Sequence, residues 1–459
     1  MGSSRFDVVV VGGGPAGSVA ALVLARAGAR VALVDKAMFP RDKACGDIVG
    51  PRGLQILTEL GLPTPIGREI GEISLVGPTG RRAQLPCGEG LTYPDHGTAV
   101  TRTVFDSFLH EAAVDAGADA LHGRAVEPLE GQGRIDGYRL STGHDLRADF
   151  VIGADGATSR VANDAEMVEA RKVLWGFAVR TYAVEVVDVP AIVLWEPAPW
   201  RAFPGYGWVF PGTAGTANVG LGLGTVGDRR AGARVQQDLP RFLEHVREIG
   251  LLSGDERTID SRRLGGWLKM GVVGTTPARG RVLLVGDAAG LVNPLQGEGI
   301  AQAMGSGRSA AEALLGEPGR AAGCYQAALA ADHLPYHRIT SAVQAWLVRR
   351  PRAVAAASRV LMTAARSDAV AGGWSVFWNE LLDGAPPNRH RSAAEAITRI
   401  GQLMTARTPS TRWFNAVFGA DPAPVSLAGR VDQTRRGGAP PDTPSAAELV
   451  GGQPEPDKT

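Results

Sequence analysis

The spacing of apolar residues at the start of the chain predicts a strand, a helix and a second strand. Asp7 to Val11 is a short apolar run of the kind found in buried strands. Ser18 to Ala27 has the pattern of a helix, and Arg30 to Val34 is a second apolar run. The chain is therefore expected to begin with a βαβ unit.

Farther along the chain, a middle section with strand character separates two sections that mix helices and strands. From about residue 173 to 275, alternating runs such as Trp175 to Tyr182 and Ala217 to Leu223 favour an antiparallel sheet. The flanking sections are expected to contain a helix from Thr103 to Ala116, a strand from Asp149 to Ile152, a strand from Arg281 to Val285 and a helix from Gly297 to Leu315. Beyond this last helix the pattern is mostly helical.

The turn after the first strand has the glycine pattern of a dinucleotide-binding loop. Residues 12 to 17 contain G-x-G-x-x-G directly after the strand. Gly12 permits a tight turn, Gly14 allows the backbone to approach a pyrophosphate, and Gly17 lets the helix pack closely on the sheet. Phosphates would lie at the helix N-terminus, where free N–H groups and the helix dipole favour negative charge. Asp35, at the end of the second strand, suits the hydroxyl pair of a ribose.

Two further motifs combine glycine with an acidic residue, and they decide which dinucleotide is expected. The first runs from Val151 to Arg160 around Asp155, and the second runs from Arg281 to Gly290 around Asp287. Asp287 follows a strand and can accept a hydrogen bond from a ribityl hydroxyl. The run at 297–299 opens a helix whose positive end can face the pyrimidine edge of a reduced flavin. FAD is therefore the predicted cofactor.

Together these three motifs resemble those of the FAD-dependent aromatic hydroxylase superfamily, the group A flavoprotein monooxygenases. Arg102, in the run Thr101-Arg-Thr-Val-Phe-Asp106, matches the arginine that precedes the second helix of the FAD domain in that superfamily. The resemblance extends over roughly residues 5 to 315. It implies the glutathione-reductase-type fold that the superfamily shares.

Within this superfamily, three features are similar to the geranylgeranyl reductase family. They are the run Phe39-Pro-Arg-Asp-Lys-Ala-Cys45-Gly46-Asp47, the run Pro204-Gly-Tyr206-Gly-Trp208-Val-Phe-Pro211, and Gly290 at a position where typical aromatic hydroxylases carry histidine. The family's reductases often have Cys-Gly-Gly, or a glycine-threonine-proline run shortly after the cysteine. This chain departs from that pattern at Asp47.

The resemblance implies an α/β protein with a glutathione-reductase-type FAD-binding Rossmann domain, an antiparallel β substrate domain and a C-terminal helical region. The expected boundaries are 5–75, 100–165 and 276–318 for the FAD domain, 76–99 and 166–275 for the substrate domain, 319–425 for the helical region and 426–459 for a flexible tail. The residues expected to bind FAD are Gly12, Gly14, Pro15, Ala16, Gly17, Asp35, Lys36, Cys45, Gly46, Arg102, Asp155, Gly286, Asp287, Pro294, Gly297, Glu298, Gly299 and Ile300. The expected catalytic residues are Cys45, Tyr206 and Trp208.

Aromatic residues cluster in one window of the predicted sheet. The chain has 9 Trp, 6 Tyr and 12 Phe, and the window holds Trp175, Phe177, Tyr182, Trp195, Trp200, Phe203, Tyr206, Trp208 and Phe210. On a sheet that faces a flavin, such residues would form an apolar cavity for a hydrophobic small molecule. The alternative is that they form the packed core between the sheet and its helices.

Cys45 has three interpretations. As a proton donor beside the flavin it would complete the reduction of an alkene, and as a packing residue it would be inert. As a reactive thiol it would need positive charge nearby, which Arg41 and Lys43 could supply.

His333 and His337 have a spacing that could suit a metal, but Pro335 lies between them and no third ligand is near in sequence, so no metal site is expected.

Composition excludes several classes of function. The chain has 459 residues, 48 Lys plus Arg and 47 Asp plus Glu, so its net charge of +1 gives no argument for binding nucleic acid. Its three cysteines, at positions 45, 87 and 324, do not form a disulfide framework pattern, which fits a cytoplasmic protein. No apolar stretch has the length of a spanning helix or the form of a signal peptide.

Two reactions remain open. In the first, reduced FAD reduces a carbon–carbon double bond of a prenyl, polyketide or aromatic-type substrate. In the second, reduced FAD reacts with dioxygen to form a flavin hydroperoxide, which hydroxylates or epoxidises the substrate inside a closed apolar pocket. A halogenase is disfavoured because the motif W-x-W-x-I-P is missing from the sequence.

The sequence contains one full dinucleotide fold, so the electron donor would dock transiently. NADPH or NADH could do so near Asp155 and Arg160, or a separate flavin reductase or ferredoxin could deliver electrons. The amphipathic run from Ile339 to Leu347 is expected to pack on the core, with transient contact to a membrane or to a partner that carries a lipid-like substrate as the alternative.

Overall fold

The computed structural model describes residues 3–77, 80–86, 93–184, 189–194, 205–213, 215–226, 232–252, 263–348 and 409–418. The fold is of the mixed α/β class, built on two large sheets and one small sheet. Strands and helices are numbered here in chain order. Within the described part of the chain, the helices are too short or too polar to cross a membrane.

The first large sheet has eight strands, and its centre is parallel. Its strands are β1 (Ser3–Val11), β2 (Val31–Asp35), β8 (Asp119–His122), β9 (Ala125–Gly131), β10 (Arg134–Leu140), β11 (Asp145–Gly153), β17 (Ala278–Arg279) and β18 (Val282–Leu284). The main order is β17-β18-β11-β1-β2-β8, while β9 and β10 form an antiparallel extension beside β11. The central strand β1 therefore pairs in parallel with β2 and with β11, which is distant in sequence.

The second large sheet has seven strands and is mostly antiparallel. Its strands are β5 (Glu72–Val76), β6 (Arg82–Pro86), β12 (Leu174–Val184), β13 (Ala191–Val193), β14 (Gly205–Pro211), β15 (Thr216–Val226) and β16 (Leu264–Met270). Their order is β16-β12-β15-β14-β13-β5-β6, with β13 and β5 parallel. A small three-stranded sheet contains β3 (Ile48–Val49), β4 (Arg68–Ile70) and β7 (Gly97–Ala99).

The helices pack on the outer faces of these sheets. They are α1 (Pro15–Arg26), α2 (Pro51–Glu59), α3 (Arg102–Asp115), α4 (Arg160–Asp164), α5 (Gly232–Glu248), α6 (Ile300–Gly316), α7 (Ala321–Asp332), α8 (Leu334–Val348) and α9 (Pro409–Phe418). The largest hydrophobic cluster joins strand residues such as Val9 and Val151 to helix residues such as Leu22 and Met304. A second cluster joins the seven-stranded sheet to α5 through Val179, which is buried in it.

The predicted elements are present, and their ends differ by a few residues. The predicted βαβ unit corresponds to β1, α1 and β2, although the helix begins at Pro15 rather than Ser18. Proline suits this first helical position because its missing N–H would have no partner there. The helix expected from Gly297 begins at Ile300.

Two features of the second sheet differ from the expectation. The section from 173 to 275 was expected to be a sheet throughout, but it contains the amphipathic helix α5, with Pro240 inside it. This helix has an apolar stripe that packs on the sheet, which outweighs the unfavourable proline. The strand β5 also belongs to this sheet, so the expected boundary at residue 75 falls inside a strand.

The C-terminal helical region includes α7, α8 and α9. The helix α9 packs against the rest through Trp413 and Phe414, which are buried in the main hydrophobic cluster. Most of the predicted helical region, and the whole predicted tail at 426–459, lie outside the described residues.

Candidate functional site

The glycine loop between β1 and α1 is in close contact with the second glycine motif. Gly12 has a φ of +111°, and a Cβ atom placed on it would lie 2.3 Å from the backbone oxygen of Ala154. A Cβ atom on Gly17 would lie 1.8 Å from the backbone oxygen of Gly12. Because any side chain at either position would collide with backbone, only glycine fits this turn. The backbone of the turn therefore remains open to a ligand, as the fingerprint predicts.

The N-terminus of α1 points its free backbone N–H groups out of this loop. Its N-cap residue is Gly14, which has no side chain to cap the helix, and Pro15 and Ala16 are the first helical residues. A guanidinium nitrogen of Arg41 lies near Gly14, 3.3 Å from the position of a Cβ atom there. The helix dipole and this cation both favour an anion.

Asp35, at the end of β2, forms a hydrogen bond with the backbone of the glycine loop. Its carboxylate accepts hydrogen bonds from the backbone N–H of Gly13 at 2.7 Å and of Ala37 at 2.8 Å. Each carboxylate oxygen has a second lone pair, so Asp35 can still accept from ribose hydroxyls. The next residue, Lys36, is exposed.

A buried group of ionic side chains lies behind this loop at the start of α3. Arg102 is 4% exposed and donates two hydrogen bonds of 2.7 Å to Asp106, which also pairs with Arg41 at 2.7 Å. Burial lowers the pKa of Arg102, but the charges and hydrogen bonds of Asp106 and Cys45 together raise it by more, so the guanidinium stays charged. Two cations share one carboxylate, which leaves a positive charge beside the glycine loop.

The third motif, around Asp287, forms another side of the site. Gly286 packs on α1, since a Cβ atom placed on it would lie 3.1 Å from the Cβ of Ala16. Asp287 lies 3.5 Å from the Nζ of Lys43, and a Cβ atom on Gly299 would lie 3.6 Å from its carboxylate. Gly299 is the N-cap of α6, so a second uncapped helix N-terminus faces this region.

The remaining predicted residues of this motif surround the start of α6. Pro294 and Ile300 are buried, whereas Gly297 is exposed with a φ of +72°. Glu298 approaches the backbone before α2, because a Cβ atom on Gly50 would lie 3.3 Å from its carboxylate. The loop at 294–299 is thus fixed at both ends and open in the middle.

These features fit FAD. The glycine loop leaves room for a pyrophosphate, the α1 N-terminus and the Arg41–Asp106–Arg102 group supply positive charge, and Asp287 can accept from a ribityl hydroxyl. FAD would lie along the residues just described, with its flavin toward the N-terminus of α6.

The carboxylate of Asp155 forms hydrogen bonds within its own turn. Its carboxylate accepts from Ser159 Oγ at 2.5 Å and from the backbone N–H of Arg160 and Val161 at 2.6 and 3.2 Å. These bonds stabilise the first turn of α4. Burial raises the pKa of Asp155 although these bonds lower it. The second motif therefore meets the glycine loop through its backbone, while the carboxylate is engaged in its own turn.

Cys45 lies where the loop after β2 crosses the seven-stranded sheet. A Cβ atom placed on the next residue, Gly46, would lie 2.9 Å from the ring of Phe210 on β14. Tyr206, on the same strand, donates a hydrogen bond to the backbone oxygen of Gln296. The loop at 45–46, the strand β14 and the loop before α6 thus converge at the end of the site where the flavin would lie.

The groups at this point are held in their neutral forms. Burial raises the pKa of the Cys45 thiol, although the nearby Arg102 lowers it. Burial also raises the pKa of the Tyr206 phenol, with smaller contributions from Cys45 and Glu298. Cys45 is nevertheless a partly exposed residue. A protonated thiol at an accessible position can donate a proton to a bound molecule.

Comparison with known proteins agrees with this geometry. Residues 5–317 match the family described as FAD binding domain. The chain is 36% identical over 318 residues to the menaquinone reductase of Mycolicibacterium smegmatis, covering 68% of this chain and 76% of that protein. It is 33% identical over 326 residues to the geranylgeranyl diphosphate reductase of Rhodobacter capsulatus, covering 68% and 75%.

The chain belongs to this family of FAD-binding oxidoreductases. Its fold is also that of a geranylgeranyl bacteriochlorophyll reductase-like protein from Thermoplasma acidophilum, with a TM-score of 0.58 and 22% identity over 91% of this chain and 100% of that one. The predicted fold class, the FAD cofactor and the resemblance to geranylgeranyl reductases are thereby confirmed. The protein is an FAD-dependent oxidoreductase.

The aromatic residues of the oxidoreductase divide between the two faces of the seven-stranded sheet. Phe177 packs toward α5, and Trp267 contacts its ring edge-on at 4.9 Å. Tyr206 and Trp208 lie on the opposite face, with ring centroids 6.2 Å apart, toward the loop of Cys45. The core interpretation of the aromatic window therefore applies to the face toward α5, while the cavity interpretation stays a prediction for the face toward Cys45. Three members of the window, Trp195, Trp200 and Phe203, lie outside the described residues.

A group of polar residues that was not predicted from the sequence lies beneath Cys45. Asn218 donates to the backbone oxygen of Cys45 at 2.8 Å and to the carboxylate of Asp47 at 2.7 Å, and it accepts from Trp208 Nε1 at 2.9 Å. The Tyr182 hydroxyl donates to the same carboxylate at 2.5 Å. These contacts join positions far apart in sequence, so the only local signal was the departure of Asp47 from the reductase pattern.

The histidine pair, with His333 at the end of α7 and His337 on α8, is buried. The rings of His333 and His337 stack with centroids 6.1 Å apart, and Arg52 contacts both ring nitrogens of His333 at 3.5 and 3.4 Å. Burial and the charge of Arg52 lower the pKa of His337 to about 3. Within the described ranges, His, Cys, Asp and Glu side chains form no group suited to a metal ion.

Proposed function

We propose that this oxidoreductase reduces a carbon–carbon double bond in a prenyl-type lipid. The observation that supports it most directly is the position of the Cys45 thiol, whose pKa is raised by burial, between Arg102 and the aromatic face of β14. The relatives named menaquinone reductase and geranylgeranyl diphosphate reductase support a substrate with an isoprenoid chain.

The cofactor supplies the electrons of this reaction, and the chain supplies position and a proton. FAD, when bound and reduced, provides a hydride to one carbon of the double bond. Tyr206 and Trp208 would hold the alkene and exclude water from it. Cys45 would donate the proton to the second carbon, and Arg102 would stabilise the thiolate that remains. The bond between Tyr206 and the backbone of Gln296 would keep the phenol in place during this step.

The proposal also covers the electron donor of the reaction and the location of the protein in the cell. NADPH or NADH would reduce the flavin directly, and a separate flavin reductase or ferredoxin is the alternative. Arg160, near which docking was expected, is partly exposed and pairs with Asp164 at 3.1 Å. A cytoplasmic protein with a lipid-like substrate would obtain that substrate by transient contact with a membrane surface.

An anaerobic experiment tests the reaction. The flavin of the purified holoenzyme is reduced without dioxygen, and geranylgeranyl diphosphate or a menaquinone is then added. We expect the visible absorbance of oxidised flavin to return and the product to gain two hydrogen atoms for each bond reduced. Return of the absorbance only with dioxygen, with an oxygen atom in the product, would show a monooxygenase instead.

A substitution at Cys45 tests the residue that would donate the proton. In Cys45→Ser we expect turnover to fall roughly a hundredfold or more, the usual contribution of a general acid, while FAD content is unchanged. Cys324→Ser is the matched control, because Cys324 is a free, partly buried cysteine away from the site. Equal turnover in Cys45→Ser and Cys324→Ser would remove Cys45 from the mechanism.

A further inference from the structure

Asp47 is placed directly against the thiol of Cys45 by an unusual backbone conformation. Its φ is +65°, in the left-handed region, and its backbone N–H donates to Cys45 Sγ at 3.4 Å. Non-glycine residues adopt this conformation at a cost, so the surrounding structure must stabilise it. The turn brings the carboxyl group of Asp47 beneath Cys45, between the loop and the seven-stranded sheet.

The carboxyl group of Asp47 is buried and asymmetrically bonded. The residue is 4% exposed. One carboxylate oxygen accepts from both Tyr182 and Asn218, while the other, Oδ1, is buried with no hydrogen-bond partner in the part of the chain that the structure describes. Burial raises the pKa of Asp47, although Tyr182, Asn218 and the guanidinium groups of Arg180 and Arg102 lower it. A buried carboxyl held at this energetic cost is a candidate for a role in the reaction.

The positive charge of Arg102 acts against the role of Cys45 as a proton donor. Arg102 favours the thiolate form of Cys45 both by its charge and by a hydrogen bond. A thiolate would have no proton to give, so a proton donor beside an arginine requires an opposing influence. Burial supplies the largest such influence on the pKa of the thiol, and the negative charge of the Asp47 carboxylate raises that pKa further, while the backbone N–H of Asp47 lowers it.

We propose that Asp47 is a positioning residue that keeps Cys45 in the thiol form beside Arg102, so that Cys45 can serve as the proton donor. This rests on the proposed function. The usual pKa of a carboxyl group is lower than that of a thiol, and the negative charge of Asp47 acts on Cys45 once this carboxyl group has ionised. The charged or titratable groups that face the pair are Arg102 from α3, Arg180 and Tyr182 from β12, and Tyr206 from β14.

In the proposed step, a hydride and a proton are added to the two carbons of the double bond. One alkene carbon receives the hydride of reduced FAD with its electron pair, and FAD is thereby oxidised. The other carbon receives the proton of Cys45, so that an S–H bond breaks and a C–H bond forms. The thiolate is neutralised by Arg102 and then takes a proton from water, which Asp47 favours by making the thiolate less stable.

The pH dependence of Cys45 alkylation tests the proposal without substrate. Holoenzyme is treated with iodoacetamide over a range of pH, and the modified Cys45 peptide is quantified by mass spectrometry. We expect Asp47→Asn to lower the midpoint of this profile by about one pH unit, which makes alkylation below the midpoint about tenfold faster. An unchanged or higher midpoint would overturn the proposal.

Three further variants separate charge from packing. Tyr182→Phe disturbs the surroundings of Asp47 but keeps its charge, so we expect a midpoint close to that of the unaltered protein. Asp119→Asn removes an exposed carboxylate from β8 and leaves the profile unchanged. Asp47→Gly fits the left-handed backbone without strain and should repeat the shift of Asp47→Asn, even if the asparagine variant folds poorly. Equal shifts in Tyr182→Phe and Asp47→Asn would indicate a packing effect and reject the proposal.

The reaction provides an independent check. The thiol is needed for proton donation, so activity is present below the pKa of Cys45 and lost above it. In Asp47→Asn this alkaline loss should move to lower pH by the same amount as the alkylation midpoint. If the unaltered protein does not reduce the prenyl substrates, the proposed function fails while the alkylation result still decides the role of Asp47. If it reduces them and the midpoint does not move, the role of Asp47 alone fails.

Discussion

The two faces of the seven-stranded sheet have opposite chemistry although they alternate along the same strands. On β12, Phe177 and Val179 belong to an apolar cluster with α5. The neighbouring Arg180 and Tyr182 point to the other face, where they contact Asp42 at 2.5 Å and Asp47 at 2.5 Å. The face toward α5 is a core, and the face toward the loop of Cys45 is a hydrogen-bonded site.

The same division holds on the two neighbouring strands. On β15, Val219 and Leu221 are in the apolar cluster, whereas Asn218 binds the loop of Cys45. On β14, Val209 is in the cluster, whereas Trp208 bonds to Asn218. Because successive side chains of a strand point to opposite faces, one strand can contribute to stability and to chemistry at alternate positions. Substitutions on the two faces should therefore affect different measurements.

The largest expected effect on stability is on the core face. Phe242 of α5 is fully buried, and a Cβ atom placed on Gly207 would lie 2.1 Å from its ring. We expect Phe242→Ala to lower the free energy of unfolding by about 3–5 kcal/mol through lost burial and a cavity. Urea unfolding of the apoprotein measures this, and Val114→Ala, at a partly exposed position, is the control. A loss below about 1 kcal/mol would contradict the assignment of this face as a core. The alkylation midpoint of Cys45 should not change.

Substitutions on the site face are expected to lower stability less than Phe242→Ala does, and to lower activity more. Asn218→Ala leaves Trp208 Nε1 and the backbone oxygen of Cys45 without their partner. We expect a loss of about 1–3 kcal/mol of unfolding free energy, with a larger relative loss of turnover. Asn163→Ala removes one amide hydrogen bond within α4, outside the seven-stranded sheet, and should lower stability with a smaller loss of turnover. Equal turnover in the two variants would show that the site face has no special role.

The smallest effect is a change in the pH dependence of stability. The pKa of Asp47 is raised in the folded protein, so its favourable contribution is present at acid pH and is lost as pH rises through that pKa. Asp47→Asn cannot ionise, so its melting temperature relative to that of the unaltered protein should increase from acid to neutral pH. Thermal unfolding of both proteins across this range measures the difference. A difference that is constant with pH would show that Asp47 is not buried in its carboxyl form.

Local patterns were sufficient to predict the cofactor side of the molecule. The glycine loop, Asp35 and the motif around Asp287 each combine residues that are close in sequence, and the structure brings all three together. Their physical basis is a strand that ends in a turn and a helix that begins there, which a short stretch of sequence can specify. The local pattern around Asp155 did not show that its carboxylate would bond within the first turn of α4.

The substrate side depends on contacts that no short stretch specifies. Asn218 and Asp47 meet only because β15 and the loop after β2 come together in the folded chain. The helix α5 was missed because Pro240 interrupts the helical pattern that its apolar stripe otherwise has. The strand alternation was predicted, but the sequence could not show which face would be covered by a helix and which by the loop of Cys45.

The order of strands in the eight-stranded sheet has a consequence for synthesis of the protein. The central strand β1 pairs with β11, which the ribosome makes more than a hundred residues later, and β18 follows after another hundred. At ordinary rates of translation of about 5–20 residues per second, the nascent N-terminal unit waits roughly ten to thirty seconds with one strand edge unpaired. Such an edge readily joins other chains. Slow synthesis or a high density of ribosomes on one message should therefore favour aggregation of this protein before its cofactor site can form.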